Sequence, residues 1–111
     1  MKYSQKKCIP CEDSTLAPFS KKQAKDHMVH IPGWSLDSKH KKITRTWLFH
    51  DFVTAMVFVN KVAKIAEREG HHPDITIHYN KVILELWTHS IGGLSENDII
   101  VAAKINASLE K

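Results

Sequence analysis

Apolar and polar positions along the chain change period several times, and each change marks an element. Ser20 with Gln23 three residues on has the spacing of a capping box, so a helix starts there and runs to about Val29. Pro32 and Gly33 in "IPGW" stop it. Trp34 and Leu36 begin a short strand, and "DSKHKK" is a turn or loop. "ITRTWLF" then alternates, with Ile43, Arg45, Trp47 and Phe49 on one side and Thr44, Thr46 and Leu48 on the other, which predicts a second strand. Phe52, Met56, Val59, Ala63 and Ala66 recur at helical spacing, and Val62 and Ile65 widen the stripe, so the longest helix is expected from Asp51 to Glu69. Gly70 is placed to end it in the left-handed conformation. Two alternating runs follow, Ile75–Tyr79 and Val82–Thr88, separated by Asn80-Lys81 as a two-residue hairpin turn. Gly92-Gly93 breaks the chain. Ser95 caps a last helix with Ile99, Ala102, Ala103, Asn106 and Leu109 along one side. The order α-β-β-α-β-β-α, with strands paired as hairpins, predicts an α+β sandwich of antiparallel pairs. Residues 1–19, polar and carrying Pro10 and Pro18, are expected as an irregular N-terminal tail, and 20–111 as one domain.

A turn at Asn80-Lys81 fixes a register. Tyr79 then faces Val82, Ile77 faces Leu84 and Ile75 faces Leu86, and these six share a face that should pack on the helices. Extended outward, the same register sets Asp74 against Trp87 and His72 against His89, with facing β-carbons about 5 Å apart. Pro73 cannot donate a ladder hydrogen bond, so pairing ends near it. His71 follows the helix end and belongs to the same corner. The opposite face of the hairpin holds Thr76, His78, Ile83, Glu85 and Trp87, a surface suited to a flat heterocycle or to a second subunit.

Composition narrows the class. A chain of 111 residues is one domain by length, and 42% hydrophobic with 25% charged residues is ordinary globular protein. The formal charge of +4 is scattered, with small clusters such as Lys39-His40-Lys41-Lys42, and no nucleic-acid-binding signature accompanies it, so direct nucleic-acid binding is not expected. No apolar run has the length of a membrane span, and "MKYSQKKCIP" lacks the apolar centre of a signal peptide, so cytoplasmic location is the expectation. Cys8 and Cys11 form a lone C-x-x-C without the second ligand pair of a structural zinc site, and read as reduced thiols in the tail.

Three clustered histidines admit a metal site, a proton-transfer site or coincidence. Adjacent histidines point in diverging directions, which suits one shared metal poorly. Imidazoles with an ordinary pKa of about 6.5 both give and take protons near neutrality, so a cluster can hold an acid and a base together.

The segment "EREGHHPDITIHYNKV…THSIGGLSENDI" resembles the pterin-4a-carbinolamine dehydratases. The shared pattern is an acid, three residues, His-His-Pro, an aromatic after five more, a histidine beyond nine further residues, then an aspartate. Here these are Glu67, His71-His72-Pro73, Tyr79, His89 and Asp98. With "GW" at 33–34 and the long helix, the likeness spans roughly residues 20–108. It implies a four-stranded antiparallel sheet with helices packed on one face, assembled as a homodimer or homotetramer. It also implies dehydration of 4a-hydroxytetrahydrobiopterin to quinonoid dihydrobiopterin, recycling the cofactor of an aromatic amino acid hydroxylase. No metal or cofactor is implied. Carried over, His71, His72 and His89 are the acid–base and pterin-binding residues, with Pro73, Thr88 and Ser90 flanking them. His71 and His89 are expected to transfer protons and His72 to position the ring. Asp98 stands where the family has its motif aspartate, and also where an acid would cap the last helix; it can cap and orient a histidine at once. Glu67 can orient a histidine likewise, whereas Tyr79 reads as packing. The alternative implied function is a non-catalytic, regulatory one on the same fold, as a dimerisation cofactor of a transcription factor.

Overall fold

The computed structural model describes residues 3–8 and 17–109. Its main elements are α1 (Lys21–His27), β1 (Ser35–Leu36), β2 (Ile43–Leu48), α2 (Phe52–Glu69), β3 (Asp74–His78), β4 (Lys81–Leu86) and α3 (Glu96–Ser108). The strands form one antiparallel sheet in the order β1-β2-β4-β3, so the fold is the expected α+β arrangement. Val82, Leu84 and Leu86 of the central strand β4 are buried with Ile43, Phe58, Val62 and Ile65, while Ile83 and Glu85 on the opposite face stay partly open. Trp47 belongs to the covered side: its ring meets Trp34 at 5.7 Å and Phe58 at 4.7 Å. Among the described residues no helix is long and apolar enough to cross a membrane.

The helix ends follow local chemistry. Ser20 and Gln23 form the capping box of α1. Asp51 caps α2 by accepting the Thr54 N–H at 2.8 Å. Gly70 closes α2 at φ 68°, a region open to glycine at little cost, and its N–H donates to the Ala66 carbonyl at 2.9 Å. The next residue, His71, therefore leaves the helix at a fixed angle, with its own N–H also on the Ala66 carbonyl.

The last helix departs from expectation. A one-sided apolar stripe was predicted, yet Ile99 to Ala103 are all buried. The N-terminal segment expected as irregular supplies part of the cover. Tyr3–Gln5 forms a 3-10 turn, Tyr3 and Cys8 pack against the core, and the Lys104 ammonium of α3 donates to the Ser4 carbonyl at 2.8 Å. Cys11 and Pro10 lie outside the described residues.

The hairpin register also differs. His78 pairs with Lys81, Ile77 with Val82 and Ile75 with Leu84, so the turn is Tyr79-Asn80 and not Asn80-Lys81. Asn80 explains the slip. Its side-chain amide donates to the Phe49 carbonyl at 2.8 Å, and the Phe49 N–H donates to the Asn80 carbonyl at 2.8 Å. These two bonds tie the turn to the end of β2, and Tyr79 takes the left-handed position at φ 54°. A slide of two residues leaves every side chain on its predicted face. It does not bury the β3 members of that face. Ile75 and Ile77 remain 37% and 38% exposed on the edge strand, and Tyr79 is 67% exposed, so the expected packing of Tyr79 is not observed.

Candidate active site

Two devices, neither of them a strand pairing, bring the histidines together. Gly70 delivers His71 and His72 from the end of α2. On the other side, Thr88 and Gly93 form an isolated bridge, the Thr88 N–H donating to the Gly93 carbonyl at 2.8 Å. Between them His89–Ile91 makes a 3-10 turn, which folds His89 back onto Trp87. The rings of Trp87 and His89 stack with centroids 4.0 Å apart. The ladder stops at Asp74 and Leu86, and the observed register would set His72 level with Trp87, so the predicted pairing of His72 with His89 does not occur. The two histidines nevertheless line one cavity of about 400 Å³, together with Gly70, His71, Pro73, Asp74, Trp87 and Ser90.

His71 is 5% exposed, and its Nε2 lies 2.6 Å from Oδ1 of the fully buried Asp98. Asp98 Oδ2 accepts the Thr88 hydroxyl at 2.8 Å and the Ser95 N–H at 3.0 Å. The Ser95 hydroxyl accepts the Asn97 N–H at 3.2 Å and lies 2.8 Å from Thr88 Oγ1. Since Thr88 gives its proton to Asp98, Ser95 donates to Thr88. Asp98 thus completes the capping box of α3 and holds His71 with the same carboxylate. A carboxylate accepts only, so it fixes the hydrogen of the His71 ring on Nε2. His72 is more open, and its Nε2 meets Glu67 Oε2 at 2.5 Å.

Of the residues expected at the site, His71, His72, Pro73, His89 and Ser90 line the cavity. Thr88 does not; it is fully buried and reaches the site through Asp98. Glu67 and Asp98 stand behind His72 and His71. Three further residues line the cavity, Gly70, Asp74 and Trp87, of which only Trp87 was expected on a surface suited to a ligand. Their nearness to His-His-Pro and to His89 in the chain was the available signal. Cys8, expected only as a reduced thiol in the tail, lies behind Asp98: its N–H donates to Glu69 Oε1 at 3.0 Å and its thiol to the Asn97 carbonyl at 3.6 Å. Burial, then the nearby Glu69 and Asp98 carboxylates, push the Cys8 thiol up to about 12. Among the described residues no three His, Cys, Asp or Glu side chains converge as metal ligands would.

Residues 17–108 match the family profile described as Pterin 4 alpha carbinolamine dehydratase. The chain is similar to pterin-4-alpha-carbinolamine dehydratase 2, mitochondrial, of Arabidopsis thaliana, at 45% identity over 93% of this chain and 57% of that protein. A Halorhodospira halophila protein, provisionally named for the same activity, is 43% identical over 96% of this chain and 97% of its own. Among solved structures, a transcriptional coactivator/pterin dehydratase from Brucella melitensis superposes with a TM-score of 0.76 at 36% identity, covering 81% of this chain and 96% of that one. Fold, motif spacing and overall similarity agree, and the chain belongs to the pterin 4 alpha carbinolamine dehydratase family.

Proposed function

We propose that this protein dehydrates 4a-hydroxytetrahydrobiopterin to quinonoid dihydrobiopterin by histidine acid–base catalysis, regenerating pterin for an aromatic amino acid hydroxylase. The observation that carries this reading is one cavity lined by His71, backed by a buried carboxylate, and by the open His89. The cavity volume falls within the range of about 300–1,000 Å³ usual for small-molecule sites.

The reaction needs two proton transfers at neighbouring atoms. The C4a–O bond breaks as an imidazolium gives its proton to the departing hydroxyl, which leaves as water. The other imidazole takes the N5 proton, and the N5 electron pair forms the double bond to C4a. His71 and His89 carry these transfers. Asp98 stabilises positive charge on His71 and keeps its tautomer. His72, tied to Glu67, positions the pterin, and Pro73 and Ser90 shape the walls. The test is turnover of chemically generated substrate followed by absorbance. Wild-type protein should accelerate dehydration, and His71→Ala or His89→Ala should remove most of the acceleration. A wild-type protein that leaves the spontaneous rate unchanged would sink the reading.

The same reading includes a homo-oligomer. Ile83, Trp47 and Trp87, the apolar residues that the sequence offers as subunit contacts, are each half-buried within one protomer. More exposed apolar residues include Leu48 at the end of β2, Phe52, Val53 and Val57 in the first turns of α2, Ile75 and Ile77 on the edge strand and Tyr79 in the turn after it. An unpaired strand edge and an apolar helix face are what a second copy would cover. A regulatory binding function is the second reading, favoured by that face and by the coactivator name of the Brucella relative. A protein without dehydratase turnover that still engages a transcription factor would select it. Cytoplasmic residence remains an expectation from sequence, since the Arabidopsis relative is named mitochondrial.

A further inference from the structure

We infer that Trp87 is a positioning residue for His89, itself held by Lys42; this rests on the catalytic reading of His89. The three cavity histidines are held differently. His71 is bound to Asp98 and His72 to Glu67. Among the described residues the His89 ring makes no hydrogen bond, and its ring contact is the Trp87 indole, 4.0 Å away at an interplanar angle of 30°. Stacking therefore sets the plane of the His89 ring. It does so without occupying either ring nitrogen, which leaves both for substrate and solvent.

The indole is itself fixed. The Lys42 ammonium lies over it, 4.7 Å from the ring centroid. Lys42 precedes Ile43, whose partner across the ladder is Leu86, so the sheet sets Lys42 beside Trp87. Glu85 Oε1, 3.6 Å from the Lys42 ammonium, holds the cation there. Lys42 and His89 thus both contact the Trp87 indole. The series Glu85, Lys42, Trp87, His89 runs from the open side of the sheet into the cavity. The effect of Trp87 is on the rate of proton transfer, which depends steeply on orientation, and not on ligand affinity.

The test compares Trp87→Leu with Trp87→Phe in the full chain. In wild-type protein the His89 ring protons, assigned by their loss in His89→Ala, should be shifted upfield by the indole ring current. Trp87→Leu should abolish that shift and lower kcat on the order of 10–10²-fold with KM little changed. Trp87→Phe keeps an aromatic face and should restore most of both. Lys42→Ala should weaken the shift and lower kcat less. A merely structural role would lower thermal stability and leave the kcat of the folded enzyme alone. Unchanged His89 resonances in Trp87→Leu would overturn the inference, as would a lost shift with unchanged kcat. If wild-type protein has no turnover the catalytic reading fails, and the resonances still report separately whether Trp87 orients His89.

Discussion

Asp98→Asn tests the centre of the site, because it changes charge and hydrogen-bond polarity with little change in volume. Asp98 accepts from Thr88, from the Ser95 N–H and from His71. The asparagine carbonyl can keep the first two partners. Its amide then faces His71 Nε2, donor against donor, and His71 must move its hydrogen to Nδ1. The analogous change in the Ser-His-Asp proteases produces the wrong tautomer and a loss of about 10⁴-fold. General acid–base catalysis contributes about 10²–10⁴-fold, so a loss in that range is expected here. Stability should fall by only about 1–3 kcal/mol, the cost of one impaired buried hydrogen bond, because the cap on α3 survives. At roughly 4–8 °C per kcal/mol for a domain near this size, Asp98→Asn should melt lower yet be folded at assay temperature. Asp98→Ala is the poorer experiment: it strands all three donors in the interior and removes one half of the capping box. Dehydration should be followed by absorbance, melting by calorimetry and the tautomer by long-range ¹H–¹⁵N spectra of His71. A folded Asp98→Asn protein with wild-type turnover, or one whose His71 hydrogen stays on Nε2, would refute the reasoning.

His89→Ala should lose on the order of 10²–10⁴-fold in rate at little cost in stability, while His78→Ala, six residues from His72 or about 20 Å along a strand, should leave turnover nearly unchanged. A collapse in His78→Ala would show that the cavity is not the site. Cys8 should alkylate slowly. Raised to about 12 from 9.0, its thiolate fraction near pH 8 is roughly 10³-fold below that of the unfolded chain, which peptide mapping after iodoacetamide can read. The same shift has a definite sign for stability. Above pH 9 the unfolded state loses the Cys8 proton while the folded state keeps it, so stability should fall as pH rises from 9 towards 12. Flat stability over that window would contradict the burial of the thiol. A chelator should leave turnover intact, since the partners of His71 and His72 are carboxylates of the same chain; activity lost and then restored by zinc would overturn the metal-free mechanism. Val53→Asp should reduce the apparent mass in light scattering, and a wild-type monomer at micromolar concentration would refute the oligomer.

Much of this protein is legible from its sequence, because the signals are local. Ser20 and Gln23, Asp51, Gly70 and Ser95 each meet backbone groups within four residues, so the helix ends follow from spacing alone. The alternation of Val82, Leu84 and Leu86 sets which face of β4 is buried, and the capping role of Asp98 follows from its place three residues after Ser95, whereas its bond to His71 spans 27 residues. The tertiary structure decided what depends on contacts distant in the chain. The turn sits at Tyr79-Asn80 because Asn80 bonds to Phe49, 31 residues away, and no local pattern reports that. His89 reaches the cavity through the Thr88–Gly93 bridge and not across from His72. Trp87 meets Lys42 only because strand pairing brings the two side by side. The last helix is covered in part by Tyr3 and Cys8, and β3 stays exposed because it forms an edge of the sheet. Hydrophobic period and capping act over one or two turns of chain. Register, cover and the orientation of a cavity ring are set by whichever distant groups the packed core brings within hydrogen-bonding or stacking distance.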